Sequence, residues 1–212
     1  MRHLAAAWLR TAAAVGARDD VAGAGADLLS RWVEPHRHYH DLAHLDSVLN
    51  AVDVLSVGAG VPDVDLVRMG AWFHDAVYDP TATDNEARSA LLAEKVLRGL
   101  RVPPMRIAEV VRLVVLTTTH DPGPDDRDGA VLCDADLAVL AGDELSYASY
   151  VDAVREEYGH LDDATFTAGR AAVLRSLLDR PTLFSTDHGR TTWEAAARRN
   201  VSAELQRLAD SG

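Results

Sequence analysis

Apolar residues recur along this chain at helical spacing. Leu42, Leu45, Val48, Leu49 and Val52 make one such face. Ile107, Val110, Val111, Val114 and Val115 make another, apolar enough to predict a buried helix over 105–119. The same spacing predicts helices over 3–15, from the Arg18-Asp19-Asp20 turn to about Trp32, from Asp41 toward Gly58-Ala59-Gly60, and from Asp63 to His74-Asp75. Pro35, Pro62 and Pro80 read as stops. Thr83 to Glu86 is a capping-box pattern opening a helix to about Arg98, and Thr191 to Glu194 repeats the pattern ahead of a helix over 191–209. Helices over 131–141, 143–158 and 163–179 complete the set, while 121–130, dense in Asp, Pro and Gly, reads as a surface loop. Gly23 and Gly25 each weaken the second helix by ~1 kcal/mol relative to Ala. No alternating Val/Ile/Thr run argues for a strand. The expected fold class is all-α.

Composition narrows the partners. With 212 residues, 48% of them apolar, the chain can bury a real core as one large domain. A net charge of −12 speaks against nucleic acid, whose phosphates need a basic face, and means that an anionic substrate must be drawn in locally. One cysteine, Cys133, rules out an intramolecular disulfide framework and Cys-rich zinc sites. The Ala-rich stretch Leu4–Val15 is interrupted by Trp8 and Arg10 and lacks the form of a signal peptide. Nor does any segment reach the ~18 apolar residues of a membrane helix. These features predict a soluble, cytoplasmic protein with no membrane partner.

Histidine placement changes the picture most. Five of the nine histidines fall in His36-Arg-His38-Tyr-His40-Asp-Leu-Ala-His44 and in Trp72-Phe73-His74-Asp75, and Cys133-Asp134-Ala135-Asp136 follows later. His40 and His44, four residues apart, share a helix face. Asp75 follows an apolar helix at its C-terminal end, a poor place for an unpaired carboxylate, which favours a metal or a cationic partner there. Asp134 and Asp136 point to roughly opposite faces of their helix, so one of them turns inward, and Asp134, nearer the expected helix start, suits an N-cap. Mixed nitrogen and oxygen ligands of this kind suit a divalent metal that activates water. His120, ending a buried helix, reads as a dipole-stabilised imidazolium, a second-metal ligand or a phosphate contact. Arg155 and Arg170 are the candidate phosphate partners from the C-terminal helices.

The spacing of His44, His74-Asp75 and Asp136-Leu137 resembles the HD superfamily of metal-dependent phosphohydrolases. Tyr39-His40-Asp41 with His44 and Val48 is similar to the Tyr-His-Asn…His…Val stretch of cyclic nucleotide phosphodiesterases, with Asp41 in place of their Asn. The stringent-response hydrolases carry His-Asp-x-x-Glu-Asp, which Asp79 matches and Tyr78 departs from. Pro35-His-Arg-His-Tyr-His40, Phe73-His-Asp-Ala-Val-Tyr78, Asn85-Glu-x-x-Ser-Ala90 and Arg155-x-Glu157-Tyr158 further resemble a bacterial branch described only as predicted HD hydrolases.

That resemblance implies a helical bundle with a core over about 30–142 and added C-terminal helices over 143–209. It implies one divalent ion (Mn, Mg, Fe, Co, Ni or Zn) on His44, His74, Asp75 and Asp136, with a phosphorylated small molecule, a nucleotide or a phosphomonoester or diester, as substrate. His40 then protonates the leaving oxygen, and Asp79, Glu86 and Asp134 are the alternatives for orienting water. Asp134 is alternatively the residue that fixes a ligand's tautomer. Two other readings stay open: a non-catalytic nucleotide- or metal-binding module, and a di-metal oxygenase with His120 on a second iron. A homodimer is compatible with all of these.

Overall fold

The computed structural model describes residues 1–57 and 59–210. Among these the chain is all-α: ten α-helices, no strand, and two short turns of other helical type. They are α1 (Arg2–Ala14), α2 (Val21–Arg31), α3 (Leu42–Ser56), α4 (Val64–Phe73), α5 (Asn85–Gly99), α6 (Pro104–Leu116), α7 (Arg127–Leu137), α8 (Glu144–Glu157), α9 (Asp163–Leu178) and α10 (Glu194–Asp210). A 3₁₀ turn (Ala138–Ala141) continues α7, and a π turn (Gly189–Trp193) leads into α10.

Aspartate starts most of these helices. Asp20, Asp41, Asp63, Asp126, Asp143 and Asp162 each accept a hydrogen bond from a backbone N–H of the first turn. Much of the acidic excess therefore sits where helix N-termini favour negative charge.

α4 lies at the centre, with Leu66, Val67, Met69, Gly70, Ala71, Trp72 and Phe73 all buried. Its Trp72 meets Trp8 of α1 edge to face at 5.5 Å, so α1 belongs to the same core as α4, α5 and α6, ahead of the core start expected near residue 30. Gly70 lets α6 and α7 approach: a Cβ there would lie 3.1 Å from Leu132 and 3.2 Å from Leu113. Gly25 is likewise needed rather than tolerated, since a Cβ would fall 2.3 Å from the Trp8 ring. A second apolar cluster joins α3, α4, α6 and α7 through Val48, Val67, Leu113 and Leu132. The third, around Tyr147, Leu174, Phe184 and Val201, binds α8, α9 and α10 to the 138–141 turn.

Three local expectations are corrected. Residues 127–130 are helical rather than loop, because Asp126 caps α7 by accepting from Gly129 N–H at 2.9 Å. The Thr83–Glu86 box does not form: α5 begins after Asp84, and Asn85 bridges the backbone N–H and carbonyl of Asp79 instead. Nor does the Thr191–Glu194 box, because Glu194 accepts from the backbone of Leu183 and Phe184 and pairs with Arg198. The stop expected for α3 at Gly58-Ala59-Gly60 is met by a helix end at Ser56, and Gly58 lies outside the described residues. Among the described residues no helix is long and apolar enough to cross a membrane. Cys133 is buried and unpaired.

Candidate metal centre

Three helices deliver four ligand atoms to one point. His44 comes from the first turn of α3, whose start is fixed by the Asp41 carboxylate accepting from Ala43 and His44 N–H at 2.8 and 3.1 Å. His74 and Asp75 follow the last turn of α4, where its partially negative carbonyl end favours a cation. Asp136 comes from the last turn of α7. One donor atom from each of His44, His74, Asp75 and Asp136 lies within 4.8 Å of the others, a cluster that could hold a metal ion.

The distances fit a shared ion. His44 Nε2 and His74 Nε2 are 3.1 Å apart, His44 Nε2 and Asp136 Oδ1 3.2 Å, and His74 Nε2 and Asp75 Oδ2 3.1 Å. Two donors each ~2.0–2.1 Å from one ion are separated by about 3 Å in tetrahedral or octahedral geometry. His74 donates its Nδ1–H to the Ala71 carbonyl at 2.8 Å, which turns the Nε2 lone pair toward the cluster. Both His rings are nearly sealed from solvent, with 2% and 1% of the side chain exposed, whereas Asp75 and Asp136 keep 13% and 15%. The exposed edge of the cluster is thus its carboxylate side, open to a ligand.

Electrostatics agree with a cation site. Burial opposes protonation of His74, yet the Asp75 and Asp136 charges outweigh it and raise its pKa well above the ordinary histidine value. Burial prevails at His44 and lowers its pKa. Asp75 and Asp136 are pulled below the usual carboxylate range: burial opposes this, but the His74 charge and the imidazole hydrogen bonds overcome it.

His40 stands beside the cluster, its Nε2 3.9 Å from Asp75 Oδ2. Its Nδ1–H is donated to Glu157 Oε2 at 2.7 Å, and its ring stacks on Tyr78 at 4.2 Å. Glu157 does more than hold the imidazole. Its Oε1 accepts the consecutive backbone N–H groups of His38, Tyr39 and His40 at 3.0, 2.9 and 2.8 Å, and its Oε2 accepts from the Tyr78 hydroxyl at 3.0 Å. Burial lowers the His40 pKa, but the Glu157 hydrogen bond and the neighbouring carboxylate charges more than reverse this and leave it raised.

Arg37 locks the same loop from the other side. Its buried guanidinium donates to the His40 and Asp75 carbonyls at 2.8 and 2.9 Å and reaches Ala76 O as well. Nothing local in the sequence marks Glu157 or Arg37 as functional, although both lie in motif stretches, Arg155-x-Glu157-Tyr158 and His36-Arg37-His38. Tyr78, noted only as a departure, supports His40.

His120 also reaches the cluster. It donates Nε2–H to Asp136 Oδ2 at 2.8 Å from a left-handed backbone conformation with φ of 49° just past α6.

Four further expected residues are placed elsewhere. The Asp79 carboxylate accepts from Thr81 N–H and its hydroxyl in a surface turn. Glu86 stands in the first turn of α5, and neither residue lines the two clefts that open onto the cluster. Asp134 is neither an N-cap nor a partner of a His ligand: it is buried in mid-helix and accepts from Ser185 N–H, Thr186 N–H and the Thr186 hydroxyl at 2.7 to 2.8 Å. Arg155 pairs with Asp163, donates to Tyr158 and Leu161 carbonyls, and lies over Phe166, which leaves it a structural role. Arg170 does line the larger cleft, though its charge is met by Glu204 at 2.7 and 3.0 Å. Comparison with protein-family models, curated proteins and solved structures found no match.

Proposed function

We propose that the protein is a metal-dependent phosphohydrolase of the HD type, acting on a phosphorylated small molecule. One observation carries the reading: a proton-bearing imidazole, His40, is fixed by Glu157 at 3.9 Å from the carboxylate edge of a four-ligand His/Asp cluster. A simple storage or structural metal site has no need of such a neighbour, whereas ester cleavage needs a proton for the leaving oxygen. In such a centre a divalent ion supplies Lewis-acid polarisation of a phosphoryl oxygen and acidifies water.

The chain's own residues then divide the work. His44, His74, Asp75 and Asp136 hold the ion. His40 carries a proton on Nε2 toward the bridging oxygen, and Glu157 keeps that proton in place by accepting from Nδ1. His120, donating Nε2–H to the outer oxygen of Asp136, fixes that carboxylate. Asp136 itself is the carboxylate best placed to orient water, since Asp79 and Glu86 line neither cleft and Asp134 is held by Ser185 and Thr186. A panel of nucleotides, phosphomonoesters and phosphodiesters tested with Mn, Co, Mg, Fe and Zn decides the reading. Metal-dependent phosphate release that disappears in His40→Ala is the expected result. A folded, metal-loaded protein that turns over none of them would overturn it.

A further inference from the structure

A cavity of about 720 Å³ opens onto the cluster between the 36–41 loop, the end of α6, the 138–141 turn, α8 and α9. It is large enough for a substrate of drug size. His40, His120 and Asp136 line the part that meets the metal centre, and apolar side chains form most of the remainder, among them Leu137, Val154, Leu161, Phe166, Val173 and Leu177. Polar atoms there are hydroxyls, such as those of Thr119, Tyr150 and Ser176, and two guanidinium groups.

What the lining lacks is as specific. Asp136 is the one carboxylate among the lining residues, and no Asn or Gln is among them. Base edges are read by bidentate amide side chains, and ribose hydroxyls are commonly held by a carboxylate. Charge is also polarised along the cavity. Arg170 is neutralised by Glu204. Arg180 donates to the Thr119 and His120 carbonyls at 2.8 and 3.2 Å and forms no ion pair with a carboxylate among the described residues. Its uncompensated charge therefore lies beside His120, at the end that meets the cluster.

We infer that this cavity receives the apolar organic group of an amphiphilic phosphate, a monoester of a medium-length alkyl, prenyl or aryl alcohol, with the phosphate at the His120–Arg180 end. The position of the phosphate rests on the phosphohydrolase reading; the apolar class of the alcohol rests on the lining. A nucleotide would find no amide side chain on this wall to read its base edge, and no carboxylate other than Asp136 to hold its ribose.

Binding of inert phosphonates to the Mn-loaded protein tests this by calorimetry. Octylphosphonate and naphthylmethylphosphonate are expected to bind at least ~100-fold tighter than methylphosphonate or the phosphonate analogue of AMP. Val173, 53% exposed on α9, tolerates a polar replacement without loss of core, and Val173→Asp is expected to remove most of that gain. Equal affinity for octyl- and methylphosphonate, preference for the nucleotide analogue, or an octyl advantage intact in Val173→Asp overturns the inference. Parallel assays of octyl phosphate and glycerol phosphate separate it from the reading beneath it. Selective binding without phosphate release removes the hydrolase and keeps the apolar ligand site. Release with equal kcat/KM for both esters keeps the hydrolase and overturns the apolar class.

Discussion

Glu157 holds His40 at two points, accepting its ring Nδ1–H at 2.7 Å and its backbone N–H at 2.8 Å. The pair lies 117 residues apart in sequence, and it ties α8 to the loop that precedes α3. Because Nδ1 is engaged, Nε2 is the atom presented to the cluster, and because the acceptor is an anion, that nitrogen keeps its proton to higher pH. Position and protonation of the proposed acid thus have one source.

Glu157→Gln separates that source from the metal site. The amide retains the shape but removes the charge that raises the His40 pKa. Phosphate release is expected to fall ~10–100-fold, as for other residues that orient a reacting group. The alkaline limb of the pH–rate profile should move to lower pH, while Mn affinity stays near that of the parent protein. An unchanged profile would show that His40 does not depend on Glu157.

The same carboxylate should govern acid stability. Burial opposes ionisation of Glu157, but the His40 ring bond and charge, with the His40 and Tyr39 backbone N–H groups, hold its pKa down at about 2, against an ordinary 4.5. A depressed carboxylate stabilises the fold above its unfolded pKa and loses that contribution as pH falls through the folded value. The difference in unfolding free energy between the parent and Glu157→Gln, from urea titrations, should therefore shrink as pH falls from about 5 to 2. A difference that stays constant over that window contradicts the assignment.

Asp128 works the other way. One of its oxygens is buried without a hydrogen-bond partner, and burial with the nearby Glu109 and Asp126 charges pushes its pKa up to about 6. A raised carboxylate binds its proton more tightly when folded, so stability is lost as pH rises from about 4 through 6. Asp128→Asn should raise the unfolding free energy at pH 7 by about 1 kcal/mol or less given its partial exposure, and the Tm with it, and leave both unchanged near pH 3. Equal effects at both pH values would point to packing rather than charge.

The helices and the members of the His/Asp cluster were legible, the first from local periodicity and the second from motif spacing that resembles the HD superfamily. Periodicity marked α3 and α6, and the His44, His74-Asp75 and Asp136 spacing named the residues that converge. What escaped depends on distant partners. Glu157 sits in an ordinary-looking acidic pair, and its role exists only once α8 meets the 36–41 loop. Asn85 and Glu194 fit local capping patterns, but backbone groups across a turn bind them instead. Asp134 looked like a cap because the helix start was placed at 131, four residues after its true start at Arg127. The opposite facing expected for Asp134 and Asp136 does hold: one meets the 185–186 backbone, the other the cluster.

Those two aspartates should therefore fail differently. Asp134→Ala leaves two backbone N–H groups and a hydroxyl without their acceptor, each worth ~1–3 kcal/mol when buried. Its expected phenotype is a loss of several kcal/mol in chemical unfolding, with one metal still bound per folded chain. Asp136→Ala removes a candidate ligand, so metal content should collapse while the chain still folds, because the three apolar clusters do not depend on that side chain. Metal analysis and unfolding of both variants make the comparison, and the reverse pattern would exchange the two roles.

Calorimetric titration of the metal-stripped protein with Mn²⁺ tests the central claim most directly. One site per chain is expected for the parent and for Glu157→Gln, and none for His74→Ala or Asp136→Ala. Saturation should also raise stability by about 2.7 kcal/mol at a hundredfold excess over Kd. A parent protein that binds no divalent ion, or ligand variants that bind it as well as the parent does, would contradict the account.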